Sequence, residues 1–458
     1  TDTTNPTDGC DYTVANQVVA NVSTAWNGLD CDGDGVTNGQ EITDTTNPID
    51  GCDYTVANQV IANVSTAWNA LDCDGDGVTN GQEITDTTNP IDGCDYTVAN
   101  QVVANVSTAW NALDCDGDGV TNGQEITDTT NPTDGCDYTV ANQVVANVST
   151  AWNGLDCDGD GVTNGQEITD TTNPIDGCDY TVANQVVANV STAWNALDCD
   201  GDGVTNGQEI TDTTNPTDGC DYTIANQVVA NVSTAWNALD CDGDGVTNGQ
   251  EIIDTTNPID GCDYTVANQV VANVSTAWNA LDCDGDGVTN GQEITDTTNP
   301  TDNCSLIAAN QDATPSTAWN ALDCDGDGVT NGQEITDTTN PTDGCDYTVA
   351  NQVVANVSTA WNALDCDGDG VTNGQEITDT TNPIDGCDYT IASQIAANVS
   401  VGWNGLDCDG DGVTNGQEII DTTNPIDGCD YTVANQVVAN VSVAWNGLDC
   451  DGDGVTNG

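Results

Sequence analysis

Between residues 12 and 23 apolar and polar positions interleave: Tyr12, Val14, Val18, Ala20 and Val22 against Thr13, Gln17, Asn21 and Ser23. A two-residue period turns one face of an extended chain toward a core and the other toward water, which predicts one or two short half-buried strands. A helical face through Ala15, Val18, Val19, Val22 and Trp26 fits the same letters. The density of Val, Thr and Asn weighs toward strand, because these residues are poor helix formers. Ser23-Thr24-Ala25-Trp26 has the form of a capped helical turn, and Gln40-Glu41-Ile42 offers another before Asp44-Thr45-Thr46-Asn47-Pro48. The Asn-Pro step ends any helix there. The predicted fold class is mostly β and irregular.

The pattern then repeats. Thr-Asp-Thr-Thr-Asn-Pro starts at Thr1, Thr43, Thr85 and Thr127 and continues with a 42-residue period. The repeats fall at 1–42, 43–84, 85–126, 127–168, 169–210, 211–252, 253–294, 295–335, 336–377, 378–419 and 420–458. The first is a partial frame and the last is truncated. The eighth diverges over residues 303–320 and is one residue shorter, between Cys304 and Cys324. Such periods mean units that touch mainly their neighbours. Trp26 and Tyr12, present once in a unit with few other large apolar groups, are read as core. A leader or terminal anchor is expected to lie outside this stretch, since both ends read as cut from a longer array.

Charge changes the picture. The chain carries 76 acidic residues and no Lys, Arg or His, for a formal charge of −76. Nucleic acid and anionic membrane need cationic side chains and are excluded as partners, and no stretch reads as membrane-inserting. Something outside the polypeptide has to supply positive charge if so acidic a chain is to fold.

The run Asp30-Cys31-Asp32-Gly33-Asp34-Gly35-Val36-Thr37-Asn38-Gly39-Gln40-Glu41 suggests what that is. Calcium takes about seven oxygens at ~2.4 Å, many of them anionic. Asp30, Asp32 and Asp34 can turn carboxylates inward, Gly35 permits the bend, and Val36 offers its carbonyl. Asn38 reaches the ion directly or through water, and Glu41 closes the sphere. The expected cofactor is calcium. The next loops place the same ligands at Asp72, Asp74, Asp76, Asn80 and Glu83, then Asp114, Asp116, Asp118, Asn122 and Glu125. They recur at Asp156, Asp158, Asp160, Asn164 and Glu167, and at Asp198, Asp200, Asp202, Asn206 and Glu209. Asp240, Asp242, Asp244, Asn248 and Glu251 follow, with Asp282, Asp284, Asp286, Asn290 and Glu293 after them. The eighth to tenth sets are Asp323, Asp325, Asp327, Asn331, Glu334; Asp365, Asp367, Asp369, Asn373, Glu376; and Asp407, Asp409, Asp411, Asn415, Glu418. An eleventh, truncated loop retains Asp449, Asp451 and Asp453.

Cysteines come two per unit: Cys10, Cys31, Cys52, Cys73, Cys94, Cys115, Cys136, Cys157, Cys178, Cys199 and Cys220 in the first half. The second half holds Cys241, Cys262, Cys283, Cys304, Cys324, Cys345, Cys366, Cys387, Cys408, Cys429 and Cys450. Even pairing without clustered zinc ligands predicts disulfides, and hence an extracellular, oxidising location, secreted or at the cell surface.

The Asp-x-Asp-x-Asp-Gly-Val run bounded by cysteines resembles the thrombospondin type 3 repeat. The wider pattern, from Asn-Pro-x-Asp-x-Cys-Asp-Tyr to Leu-Asp-Cys-Asp-Gly-Asp-Gly-Val-Thr-Asn-Gly, is similar to arrays in large secreted surface proteins of Bacteroidota. The resemblance implies extracellular, calcium-stabilised repeats with Cys10 paired to Cys31. The equal spacing also allows Cys31 with Cys52, so the connectivity stays open. Polar Thr37 and the lack of long flanking helices set the loop apart from a paired EF-hand, which argues against a calcium-triggered switch.

Asn21-Val22-Ser23 is an N-glycosylation sequon, repeated at Asn63, Asn105, Asn147, Asn189, Asn231, Asn273, Asn356, Asn398 and Asn440. Asp2-Thr3-Thr4 resembles an O-glycosylation motif of Bacteroidota, which makes Thr3, Thr45, Thr87, Thr129, Thr171, Thr213, Thr255, Thr297, Thr338, Thr380 and Thr422 acceptor candidates. Covalent glycans are therefore expected partners, alongside further copies of the chain in a fibril.

The expectation is a linear tandem-repeat rod of about eleven units, built from short strands, calcium loops and disulfides, and serving as a calcium-rigidified stalk or fibril. The alternative is a surface adhesin whose repeats bind glycan, which exposed Trp would favour. An enzyme is not expected: there is no His or Lys base, and every unit is the same.

Overall fold

The computed structural model describes residues 3–5, 7–312 and 314–458. The chain divides into two compact units, Thr1–Ser233 and Thr234–Gly458. Both use one building block.

In the first unit the block is seen clearly after Cys52. Single 3-10 turns at Val56–Asn58, Ile61–Asn63 and Trp68–Ala70 lead into an acidic loop and then an α-helix, Asn80–Asp86. Thr79, extended at φ −87° and ψ 146°, opens that helix, and Glu83 sits in its first turn, where a carboxylate meets the positive end of the helix dipole. Thr87 closes it in the left-handed region at φ 64°, and the Thr88 N–H donates back to the Glu83 carbonyl at 3.0 Å. Asn89-Pro90 then bars continuation.

The strand expectation is wrong. Among the described residues there is no β-strand or bridge. The valine-rich stretch does contain extended residues, such as Val60 at φ −107° and ψ 95°, but it folds into turns closed locally by Asn58 N–H to Thr55 and Asn63 N–H to Val60. Its two outward N–H groups, on Val60 and Ser65, donate to Gly35 (3.0 Å) and Gly33 (2.8 Å) of the preceding loop. A bent loop with alternating glycines at φ 80° and 89° offers two carbonyls and no ladder, so no sheet forms. Val60 and Ile61 face outward, 49% and 56% exposed, and only Val64 turns toward the core.

The core lies elsewhere. Val36 of one loop packs with Tyr54 and Trp68 of the next repeat, and Val64, Ile84 and Ile91 border them. Trp68 is fully buried, its ring edge-on to Tyr54 with centroids 5.8 Å apart. Its indole N–H donates to the Gly51 carbonyl at 2.6 Å, which satisfies the one polar atom the ring carries. The same trio recurs as Val78, Tyr96, Trp110 and onward through Val162, Tyr180, Trp194.

The second unit repeats the arrangement with Val246, Tyr264, Trp278 and with Val371, Tyr389, Trp403. In the divergent repeat Leu306 takes the tyrosine's place between Val288 and Trp319. Here Asp312 N–H donates to Gly287 and Ser316 N–H to Gly285, both at 2.8 Å. These anchors stand four residues apart, where Val60 and Ser65 stand five apart. The missing residue has been taken from between the two anchors, and both bonds survive.

Candidate metal site

Each acidic loop is shaped by its own carboxylates. Asp30 accepts from the Gly33 N–H at 2.7 Å through one oxygen and from the Gly35 N–H at 3.1 Å through the other. Asp34 Oδ1 accepts from the Val36 N–H at 2.7 Å, and Asp32 Oδ1 from the Asp34 N–H at 3.4 Å. Gly35 has to be glycine: its φ of 89° disfavours a side chain, and an added Cβ would lie 2.8 Å from the Val60 carbonyl. Helix Asn38–Asp44 carries Glu41 to the same place.

The bonding leaves four oxygens over. Asp32 Oδ2, Asp34 Oδ2 and both carboxylate oxygens of Glu41 are buried and have no hydrogen-bond partner. Asp74, Asp76 and Glu83 repeat this, and so does every loop through Asp409, Asp411 and Glu418. Ligand atoms of Asp30, Asp32 and Asp34 lie within 4.8 Å of one another. Burial first, and then the neighbouring carboxylates, push the Asp32 carboxyl up to about 6, Asp34 to about 7 and Glu41 to about 8. No lysine, arginine or histidine exists to balance these charges. Orphaned, anionic, all-oxygen donors fit a hard divalent cation.

Two further expected ligands, Asn38 and the Val36 carbonyl, belong to residues whose side chains make contacts of their own. Asn38 is fully buried, but its side chain braces the loop: Oδ1 accepts from the Cys31 N–H at 3.1 Å, and Nδ2 donates to the Trp26 carbonyl at 3.1 Å. Val36 sends its side chain into the following repeat's core.

The disulfides resolve the open connectivity. Cys10 joins Cys31, Cys52 joins Cys73 and Cys94 joins Cys115, and the pattern runs to Cys429–Cys450. Cys220 and Cys241 are disulfide-bonded too, and no described cysteine is free. The Cys31–Cys52 alternative is excluded. Among the glycosylation candidates, Thr45 is exposed just after its helix at φ 63°, and Asn63 is exposed ahead of Ser65.

Sequence reading missed the side chains that grip each loop and the end of its helix. Gln59 Nε2 donates to the Asp34 carbonyl at 2.7 Å, and Asn58 Nδ2 to Asp44 Oδ2 at 2.6 Å. A signal was present: the divergent repeat loses its valines and keeps Asn310, Gln311 and Ser316. Where Ser393 replaces the asparagine, its hydroxyl makes the same bond to Asp379, at 2.6 Å.

The fold and site define a tandem-repeat protein whose acidic loops gather carboxylates into clusters able to hold a metal ion. The bacterial TSP3 repeat model matches ten times, at residues 30–51, 72–93, 114–135, 156–177, 198–219, 240–261, 282–303, 323–344, 365–386 and 407–428. These matches make the chain an array of TSP3-like repeats, a structural and calcium-binding kind of repeat; the match is to bacteria at large and singles out no phylum. No curated protein and no solved structure matches it. No helix among the described residues is long and apolar enough to cross a membrane.

Proposed function

We propose that the chain is an extracellular structural spacer, a stalk or fibril segment stiffened by calcium at each loop. The four orphaned carboxylate oxygens per loop, in a polypeptide without a single cationic side chain, carry this reading. Asp32, Asp34 and Glu41 would hold the ion, with Asp30 framing the loop, and their counterparts would do so in the other intact loops. The ion supplies positive charge that cancels the repulsion among buried carboxylates and lets the loop keep its shape. The disulfides fit an oxidising location outside the cell.

Fully buried tryptophans favour the spacer over an adhesin that stacks sugars on them. Exposed Thr45 and its counterparts are the acceptors we assign to O-linked glycans, with Asn63 and its counterparts as the N-linked candidates; mass spectrometry of the native protein tests both. Calcium titration by calorimetry, with hydrodynamic radius and near-UV circular dichroism followed on chelation, tests the main reading. Binding at about one ion or more per intact loop, with expansion and loss of the aromatic signal on chelation, is the expected result. No uptake, or an unchanged radius, would refute it.

A further inference from the structure

We infer that, within each compact unit, order passes along the chain in one direction: each cation loop holds the repeat that follows it in place, and emptying a loop melts that next repeat while sparing the one before. The inference rests on the loops being cation sites. It comes from the unequal ways in which a loop is joined to its two neighbours.

Backward, toward its own tryptophan, the loop is held covalently. Cys262–Cys283 ties it to the start of the repeat, and Asn290 braces it by donating to the Trp278 carbonyl at 3.2 Å and accepting from the Cys283 N–H at 3.1 Å. None of these contacts uses an orphaned carboxylate.

Forward, most of the joint depends on the bent loop itself; outside the bend, Asn310 Nδ2 donates to Asp296 Oδ2 at the end of the loop's helix, at 2.7 Å. Gly285 and Gly287 present their carbonyls to Ser316 and Asp312, the Asp286 carbonyl accepts from the Gln311 side chain, and Val288 enters the core of Leu306 and Trp319. Those carbonyls point outward because the glycine N–H groups are held by Asp282, at 2.7 and 3.0 Å. Asp284, Asp286 and Glu293 crowd the same turn with unbalanced charge, so loss of the ion opens the bend and withdraws two backbone acceptors and a core residue together. The following repeat then has a core of two large side chains and a disulfide, too little to hold alone.

The divergent repeat makes this testable, because residues 303–320 are unique in the chain and give identifiable peptides. Hydrogen exchange of that segment would be followed in calcium, in the full chain, for two double variants. Asp284→Asn with Asp286→Asn disables the loop before the reporter; Asp325→Asn with Asp327→Asn disables the loop after it. The first is expected to speed exchange by roughly tenfold or more, and the second to leave residues 303–312 near the wild-type rate. Equal effects, the reverse order or no effect overturns the inference. Calorimetry on the same samples separates the failures. A wild-type chain that takes no calcium sinks the cation reading itself, and one that takes calcium with an indifferent reporter sinks only the directionality.

Discussion

Gln59 reaches back 25 residues to donate its side-chain N–H to the backbone carbonyl of Asp34, at 2.7 Å. One polar side chain thus joins the valine-rich half of a repeat to the loop ahead of it. The unique copy of this contact is Gln311 with Asp286. Gln311→Ala is expected to weaken that junction by about 1 kcal/mol, the usual net worth of one such hydrogen bond. Exchange of residues 303–320 should then rise about fivefold, and an unchanged rate would show that the contact is idle.

Trp319 is 1% exposed, and its indole N–H donates to the Asn303 carbonyl at 2.6 Å. Trp319→Ala is expected to remove about 3–5 kcal/mol from its own repeat, enough to unfold it locally. Trp319→Phe keeps most of the apolar volume, loses the hydrogen bond and should fall between the two. Chymotryptic cleavage within residues 304–322, mapped by fragment mass, ranks the three proteins; equal resistance would count against a core role.

Much of this was legible in the sequence, and the part that was not has a physical cause. The loop acids, the cysteine pairs and the once-per-unit Trp each carry their chemistry in the residue type, and Trp68 is indeed buried. The strand reading failed because alternation along Tyr12–Val22 says nothing about what accepts the backbone N–H groups. In the next repeat the equivalent stretch finds its acceptors for Val60 and Ser65 in the loop carbonyls of Gly35 and Gly33, set by positive φ angles, and they allow only two bonds. The loop position that marks Asn38 as a candidate ligand does not reveal what else its side chain touches. Its amide is engaged by Cys31 and Trp26, a fact set by tertiary packing.

Glycine at position 35 is required twice over, by its φ of 89° and by the Val60 carbonyl 2.8 Å from where a Cβ would sit. Gly35→Ala is expected to open the junction between this loop and the repeat after it. A new proteolytic site between residues 54 and 68 in calcium would report the opening. A digestion pattern identical to wild type would mean that the backbone accommodates the methyl group.

The metal-free chain should respond to pH in a defined sense. Burial and neighbouring carboxylates raise Asp32, Asp34 and Glu41 to about 6, 7 and 8 in the folded state, above the ordinary carboxylate range. The folded chain therefore holds more protons than the unfolded one. Its stability is fullest in acid, below the ordinary carboxylate values, and is lost as pH rises through 6 to 8. Near-UV circular dichroism in chelator should fade across that window, while calcium affinity should climb over the same range as the ion displaces protons. A chelated chain with a flat profile would contradict the placement of these carboxylates.

Joining by two fixed backbone bonds has a consequence for how such a chain can change over generations. Within each compact unit, neighbouring repeats meet through a glycine pair on one side and two N–H groups on the other, and the eighth repeat shows that the residues between those N–H groups can vary in number. Any copy can therefore succeed any other. Unequal recombination between near-identical coding segments would add or delete whole repeats without creating a mismatched seam, so the length of the protein is free to drift while the joint stays the same.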